Sequence, residues 1–152
     1  MLRREGGEDA GEAGPARRPA PTLADLGTLL AASRDAGVPA DLAVAGRVRD
    51  LDPGLELSAY RIVQEALTNV ARHAPGATAQ VTLRYLDGRL AMEIVNGSPG
   101  PGRVTGRPEP GGRGLLGMRE RAALYGGAVH AAATAGGFKV AAVLPYDPPG
   151  GA

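Results

Sequence analysis

The chain has 152 residues and an almost balanced charge, with 17 basic and 16 acidic side chains. This length suits one domain with a tail, and 43% of hydrophobic residues is enough for a core built on Ala, Leu and Val, since there is one Phe and no Trp. A net charge of +1 gives no case for binding nucleic acid or a membrane surface, and the lack of Cys excludes disulfides and thiolate metal sites. No apolar segment reaches membrane-spanning length, so we expect a cytoplasmic protein.

The first part of the chain predicts a leader, a helix and a strand. Residues 1–21 alternate charged side chains with Gly, Ala and Pro and have almost no large apolar residue, so we expect a disordered leader or linker. Thr22 is a good N-cap for a helix that ends near Gly37. A strand is predicted over residues 41–46.

After a predicted turn at Pro53-Gly54, residues 60–74 indicate one helix with two chemically different sides. At 3.6 residues per turn, one side collects apolar residues that we expect to be buried, namely Ile62, Val63, Ala66, Leu67 and Val70. The other side collects polar and charged residues, namely Arg61, Glu65, Asn69, Arg72 and His73.

The polar side of this helix predicts a magnesium-nucleotide site. Glu65 and Asn69 lie four residues apart, so a carboxylate and an amide oxygen can face one hard cation or its waters. Arg72 and His73 follow one turn later, where their donors can meet phosphate oxygens. The alternative is a solvated helix face that binds nothing.

Two strands and a long loop follow. Residues 78–85 and 89–95 alternate in polarity and predict an antiparallel pair joined at Asp87-Gly88. Residues 97–113 are so rich in Gly and Pro that we expect a lid over a binding site.

The last part of the chain predicts a helix and a second hairpin. The helix contains Leu115 and is capped by Gly126 or Gly127, and its Gly-rich approach lets backbone N–H groups face an anion closely. Residues 128–134 and 138–144 predict strands joined around Gly136-Gly137, with His130 facing solvent.

Together these elements predict an α+β fold. We expect a two-layer α/β sandwich in which a mixed, mostly antiparallel sheet carries the helices on one face. The domain is expected over residues 22–146, with a flexible tail over 147–152.

Three segments together resemble the ATP-binding catalytic domain of two-component sensor histidine kinases, within the gyrase and histidine-kinase-type ATPase superfamily. They are the segment 60–74, the helix opening Gly112-Arg-Gly-Leu-Leu-Gly-Met-Arg-Glu-Arg-Ala122 and the ending Gly136-Gly-Phe-Lys-Val-Ala-Ala-Val-Leu-Pro145. The resemblance is strongest to the subgroup that signals to response regulators with helix-turn-helix outputs. It implies ATP and Mg²⁺ as cofactors, and transfer of the ATP γ-phosphoryl group to a histidine in phosphorelay signalling.

The resemblance also implies roles for individual residues. Glu65 matches the acidic residue that acts beside the attacking group, and is therefore the expected catalytic residue. Asn69 matches the magnesium ligand. The expected nucleotide-binding residues are Asn69, Arg72, His73, Asn96, Gly100, Gly112, Gly114, Leu115, Gly117 and Met118.

Asn96 departs from the family pattern. Members of the family commonly have Asp-x-Gly-x-Gly at this place, and the Asp accepts a hydrogen bond from the adenine amino group, whereas this chain has Asn96-Gly-Ser-Pro-Gly100. Asn keeps one oxygen acceptor, gains an NH₂ donor and loses the charge. We therefore expect adenine recognition with a weaker contact. The alternative is an Asx turn that merely ends the strand.

The chain has two histidines, His73 and His130, and neither lies in a long amphipathic helix of the kind that a phosphoacceptor domain uses. We therefore expect the acceptor histidine on a dimerisation domain or partner kinase in trans, with a response regulator downstream, and a monomeric chain. Two other classes stay open: a nucleotide-dependent interaction switch related to anti-sigma-factor serine kinases, and a degenerate ATP-binding scaffold without turnover.

Overall fold

A computed structural model of the chain describes residues 19–98 and 113–147. In chain order it contains a 3-10 helix Leu23–Asp25, α1 Leu26–Asp35, β1 Ala40–Gly46, α2 Pro53–His73, β2 Ala79–Leu86, β3 Arg89–Asn96, α3 Arg113–Ala123, β4 Ala128–Ala133 and β5 Phe138–Pro145. The predicted leader up to residue 18, residues 99–112 of the predicted lid, and residues 148–152 lie outside the described part. The predicted domain boundaries stay predictions.

The five strands of the described part form one mixed sheet in the order β1-β2-β3-β5-β4. β1 and β2 are parallel, and α2 makes the crossover between them. The other neighbours are antiparallel, with the β2–β3 and β4–β5 pairs formed by the two predicted hairpins. The prediction of a mixed, mostly antiparallel sheet is therefore confirmed.

The core lies between the sheet and one layer of helices. On β3 the side chains of Leu90, Met92 and Ile94 are buried and point to the helix-covered face, because every second residue of a strand faces the same side. The predicted apolar stripe of α2 is buried against this face, from Ile62 to Val70. The α+β sandwich with helices on one face is thus confirmed.

The start of α2 corrects the sequence prediction, which placed a turn at Pro53-Gly54. These two residues instead begin the helix. Asp52 is the N-cap, and its Oδ2 accepts hydrogen bonds from the backbone N–H groups of Gly54 at 3.0 Å and Leu55 at 3.3 Å. Pro is favoured at the first helical position because its missing N–H would have no intrahelical partner there. A Pro-Gly pair after a capping Asp is therefore a helix start.

The N-terminal side of the domain is hydrogen-bonded directly to α2. Thr22 and Asp25 form a capping box around the 3-10 helix, as the Thr22 cap predicted. The backbone N–H of Leu23 donates to Glu56 Oε1 at 2.9 Å, so the first described turn is tied to the helix that carries the predicted site. The predicted single helix up to Gly37 is thus a 3-10 turn followed by α1.

None of the helices in residues 19–98 and 113–147 combines the length and the apolar character that crossing a membrane requires.

The Asp52 cap gives a stability prediction. We expect Asp52→Ala to lower the free energy of unfolding by about 1 kcal/mol, because two N–H groups of the first turn of α2 lose their acceptor. Urea unfolding followed by circular dichroism measures this. Asp50→Ala is the matched control, since Asp50 is exposed and is not the cap of α2. Equal losses in both variants would contradict the capping role.

Candidate functional site

A cleft that is open to solvent lies at one end of the sheet, under the C-terminal part of α2 and the N-terminal part of α3. It is lined by Ala66, Asn69, Val70, His73, Ala74, Ile94, Asn96, Leu115, Met118, Ala131, Phe138 and Val140. Most of the lining is apolar, and its polar side chains are Asn69, His73 and Asn96.

Five of the residues predicted from the sequence to bind a nucleotide line this one cleft: Asn69, His73, Asn96, Leu115 and Met118. They come from three elements that are well separated in the chain, α2, β3 and α3. Leu115 and Met118 are buried, while Asn69 and His73 are partly exposed at the rim.

The remaining predicted residues fall into three groups. Glu65 and Gly114 lie beside the cleft, as described below. Arg72 is exposed on α2, and neither Arg72 nor Gly117 lines the cleft. Gly100 and Gly112 lie outside the described residues.

α2 and α3 lie close together at Gly114. A Cβ atom added to this residue would lie 2.5 Å from Glu65 Oε2 and 3.2 Å from both side-chain polar atoms of Asn69. Only a residue without a side chain fits there unless these groups move. The two α2 side chains predicted to carry the chemistry therefore meet the backbone at the start of α3.

The floor of the cleft continues the core. Asn96 follows Leu90, Met92 and Ile94 at the same two-residue spacing on β3, so its side chain points to the helix-covered face, where the apolar row ends. Opposite Asn96 in the sheet register lies Phe138, the chain's one phenylalanine. An aromatic side chain and aliphatic neighbours form a surface that suits a flat heterocycle.

Sequence reasoning did not assign Phe138 or Val140 to the site. Both belong to the first half of β5, whose sequence predicts a strand and contributes to the family resemblance without indicating a site residue. Their side chains enter the cleft because β5 pairs with β3 in a register that aligns Phe138 with Asn96. The Gly136-Gly137 turn just before Phe138 was the available signal, since it fixes where β5 starts.

Asn96 is buried, and one of the two polar groups of its side chain has a hydrogen-bond partner in the protein. Its relative exposure is 7%, and its Nδ2 donates to the Gly97 carbonyl at 2.8 Å. Its Oδ1 accepts no hydrogen bond from the described residues. This oxygen is also not one of the fully buried polar atoms that lack a partner there. An accessible acceptor oxygen is thus offered at the end of an apolar cleft.

The site offers few protein ligands to a cation. Within the described residues, no three His, Cys, Asp or Glu side chains lie close enough to hold a metal ion together. Mg²⁺ usually keeps several waters and takes one or two protein oxygens together with substrate phosphates, so it does not need such a cluster. Glu65 and Asn69 beside Gly114 offer oxygen ligands of that kind.

No protein-family model matches the chain. Among curated proteins, the chain is 34% identical over 97 residues to the sensor histidine kinase LnrJ of Bacillus subtilis, an alignment that covers 63% of this chain and 23% of that protein. It is 35% identical over 94 residues to the sensor histidine kinase YxjM of the same organism, covering 61% of this chain and 22% of that protein. The chain thus spans less than a quarter of the length of these relatives.

The fold is also found in solved structures. The blue-light activated histidine kinase EL346 of Erythrobacter litoralis matches with a TM-score of 0.64 and 19% identity, over 85% of this chain and 43% of that one. The mycobacterial sensor histidine kinase MprB matches with a TM-score of 0.55 and 21% identity, over 81% of this chain and 95% of that one. At these identities the likeness concerns the fold.

The Gly114 contact gives a second prediction. We expect Gly114→Ala to displace the Glu65 and Asn69 side chains, because its Cβ would overlap the Glu65 carboxylate. The side-chain amide signal of Asn69 in a ¹H–¹⁵N correlation spectrum should move.

Gly117→Ala is the matched control on the same helix. Its Cβ would approach Arg121 Nη1 at 3.1 Å, at the end of a flexible side chain, so the Asn69 signal should stay and helix propensity should raise the free energy of unfolding by up to about 1 kcal/mol. An Asn69 signal that does not move in Gly114→Ala, or moves equally in both variants, would contradict the close contact.

Proposed function

We infer that the chain is an ATP-binding catalytic domain of the sensor histidine kinase family, and we propose that it binds Mg²⁺-ATP in the cleft and transfers the γ-phosphoryl group to a histidine of another domain. The family rests on the sequence and fold likenesses above. The activity is a proposal for this chain, which spans a small part of its relatives.

One observation carries the proposal. Glu65 and Asn69 of α2 converge on the backbone of Gly114 at the start of α3, beside an apolar cleft that ends at the acceptor oxygen of Asn96. A helix start offers unpaired N–H groups and a positive dipole end to phosphate oxygens. A nucleotide requires groups that bind phosphate at one end of its site and an apolar surface for the base at the other.

The base would lie in the apolar part of the cleft. Met118 and Ile94 are buried there, and Phe138 lies at the edge. Asn96 Oδ1 would accept a hydrogen bond from the adenine amino group. In otherwise equal surroundings, a hydrogen bond to a neutral amide oxygen is weaker than one to a carboxylate on the order of 1 kcal/mol, a difference too small to abolish nucleotide binding.

The phosphates would lie toward α2 and α3. Asn69 would supply the protein oxygen to the cation, and His73 at the rim would donate to phosphate oxygens. Bound Mg²⁺ supplies neutralisation of phosphate charge during transfer. Glu65 would orient the attacking imidazole and accept its proton. Arg72 would reach the phosphates only from the exposed side of α2, and is the weakest of the predicted contacts.

The acceptor histidine would come from elsewhere. His130 is exposed on β4, and its neighbour Ala131 lines the cleft. Neighbouring residues of a strand point to opposite faces, so the His130 side chain lies on the other face of the sheet from the site. His73 is part of the cleft wall. We therefore propose a histidine-bearing dimerisation domain or a partner kinase as the immediate acceptor, and a response regulator after it.

Nucleotide binding gives the third prediction. Asn69→Ala should abolish magnesium-dependent ATP binding measured by calorimetry, because it removes the proposed cation ligand. Thr68→Ala, an exposed neighbour on α2, is the control and should bind like the unmodified chain. Magnesium-dependent binding that survives Asn69→Ala would refute the assigned cation site.

Phosphoryl transfer gives the fourth prediction. The test uses a fusion in which the dimerisation domain of a sensor histidine kinase is joined ahead of Pro19 of this chain. When the fusion is incubated with γ-labelled ATP, we expect the label on the histidine of that domain. Glu65→Gln should keep ATP affinity within about threefold and reduce labelling at least about a hundredfold, as expected for loss of a general base. ATP binding without labelling in the unmodified chain would reject the transferase proposal and leave a nucleotide switch or scaffold.

A further inference from the structure

The side-chain amide of Asn96 has one orientation that its surroundings support. Its Nδ2 lies 2.8 Å from the Gly97 carbonyl oxygen, and only the NH₂ group can donate to that oxygen. Rotating the amide by half a turn would place Oδ1 against the carbonyl, oxygen facing oxygen. The acceptor oxygen is therefore the atom left for a ligand.

The groups on both sides of the Gly97 carbonyl are hydrogen-bonded to neighbouring segments. The Gly97 N–H donates to the Thr78 carbonyl at 3.2 Å, which continues the sheet by one residue. Ser98 Oγ donates to the Gly136 carbonyl at 3.0 Å, which ties the segment after β3 to the β4–β5 turn.

The β4–β5 turn also touches the Asn96–Gly97 peptide directly. A Cβ added to Gly137 would overlap the Asn96 carbonyl oxygen and lie 2.9 Å from the Gly97 carbonyl oxygen. The turn therefore packs closely against the Asn96 and Gly97 carbonyl groups, as only a glycine at position 137 allows. Ser98 stands where the family pattern has its first Gly, so the tie to Gly136 comes from a side chain that this pattern lacks.

We propose that Ser98 and the Gly136–Gly137 turn are positioning residues that fix the Gly97 carbonyl, and that this carbonyl orients the Asn96 amide so that the cleft accepts a 6-amino purine and rejects a 6-oxo purine. The inference rests on the proposed nucleotide function and adds the origin of base selectivity. An amino group donates to Oδ1, whereas a 6-oxo group would place two acceptors against each other.

Inosine triphosphate is the probe for this selectivity, because it differs from ATP in the base edge that meets Asn96 and has the same ribose and phosphates. The unmodified chain should bind ATP about tenfold to a hundredfold more tightly than inosine triphosphate, the range expected when a buried polar group is left unpaired. Calorimetry in the presence of Mg²⁺ gives both dissociation constants.

The positioning role is tested by Ser98. Ser98→Ala should reduce the ratio of the two dissociation constants about threefold or more, because the freed Gly97 carbonyl lets the amide turn over. Ser98→Thr keeps the hydroxyl and should restore the ratio. A role limited to stability would lower the melting temperature and leave the ratio unchanged, which would overturn the proposal.

Asn96→Asp provides an independent variant at the amide itself. A carboxylate would face the Gly97 carbonyl at the distance now spanned by the hydrogen bond, in a position that is 7% exposed. We therefore expect the family's usual Asp to bind ATP about tenfold more weakly than Asn in this chain, the effect of losing one hydrogen bond and gaining a repulsion. Equal or tighter binding by Asn96→Asp would overturn the proposal.

The outcomes separate this inference from the function it rests on. ATP binding with no preference over inosine triphosphate would overturn the positioning proposal alone and leave the nucleotide site standing. No ATP binding by the unmodified chain would remove the proposed function and the selectivity with it.

Discussion

The two-sided character of α2 is the constraint on which the rest of the structure depends. Its apolar stripe is buried on the sheet from Leu55 to Val70, and this burial fixes the rotation of the helix about its axis. Once that rotation is fixed, Glu65 and Asn69 point toward α3, and the missing side chain at Gly114 leaves room for them. Core packing and site geometry are therefore one requirement: a change that rotates α2 to repack the core also moves the carboxylate and the amide.

In the sheet, too, one row of side chains serves both the core and the site. The residues that bury the core on β3 occupy every second position, and the next position in that row is Asn96, at the point where the helix layer no longer covers the strand. A polar residue there costs little because its amide is satisfied by Gly97 on one side and is accessible on the other. The cleft is thus the open end of the hydrophobic core, and its apolar lining requires no separate structural element.

Short sequence patterns predicted the elements and side chains that depend on neighbouring residues in the chain. The amphipathic period of α2 identified Asn69 and His73, the family resemblance added Asn96, Leu115 and Met118 of the same cleft, and the alternation of polarity identified both hairpins. The Pro53-Gly54 turn was wrong because the capping role of Asp52 was not weighed: the same dipeptide ends structure in one context and begins a helix after a capping residue. Phe138 was missed because its place in the site depends on the pairing of β5 with β3, a contact between segments far apart in the sequence. The contact of Gly137 with the Asn96–Gly97 peptide was equally out of reach, since it involves backbone atoms that leave no compositional trace.

In the proposed function the acceptor histidine belongs to another domain, so the rate of phosphoryl transfer depends partly on how that domain reaches the cleft. The proposed chemistry needs the nucleotide, Glu65 and an incoming imidazole at one point, and the structure accounts for the protein side of that arrangement through the α2–α3 contact. The imidazole must arrive by diffusion or by a tether, and a short tether raises its effective concentration to about the millimolar range. Water is always present at far higher concentration, so transfer can exceed hydrolysis only if Glu65 activates a positioned imidazole better than a water molecule. Glu65 is partly exposed and lies next to Gly114, so its carboxylate can be reached by an imidazole that the other domain brings to the cleft.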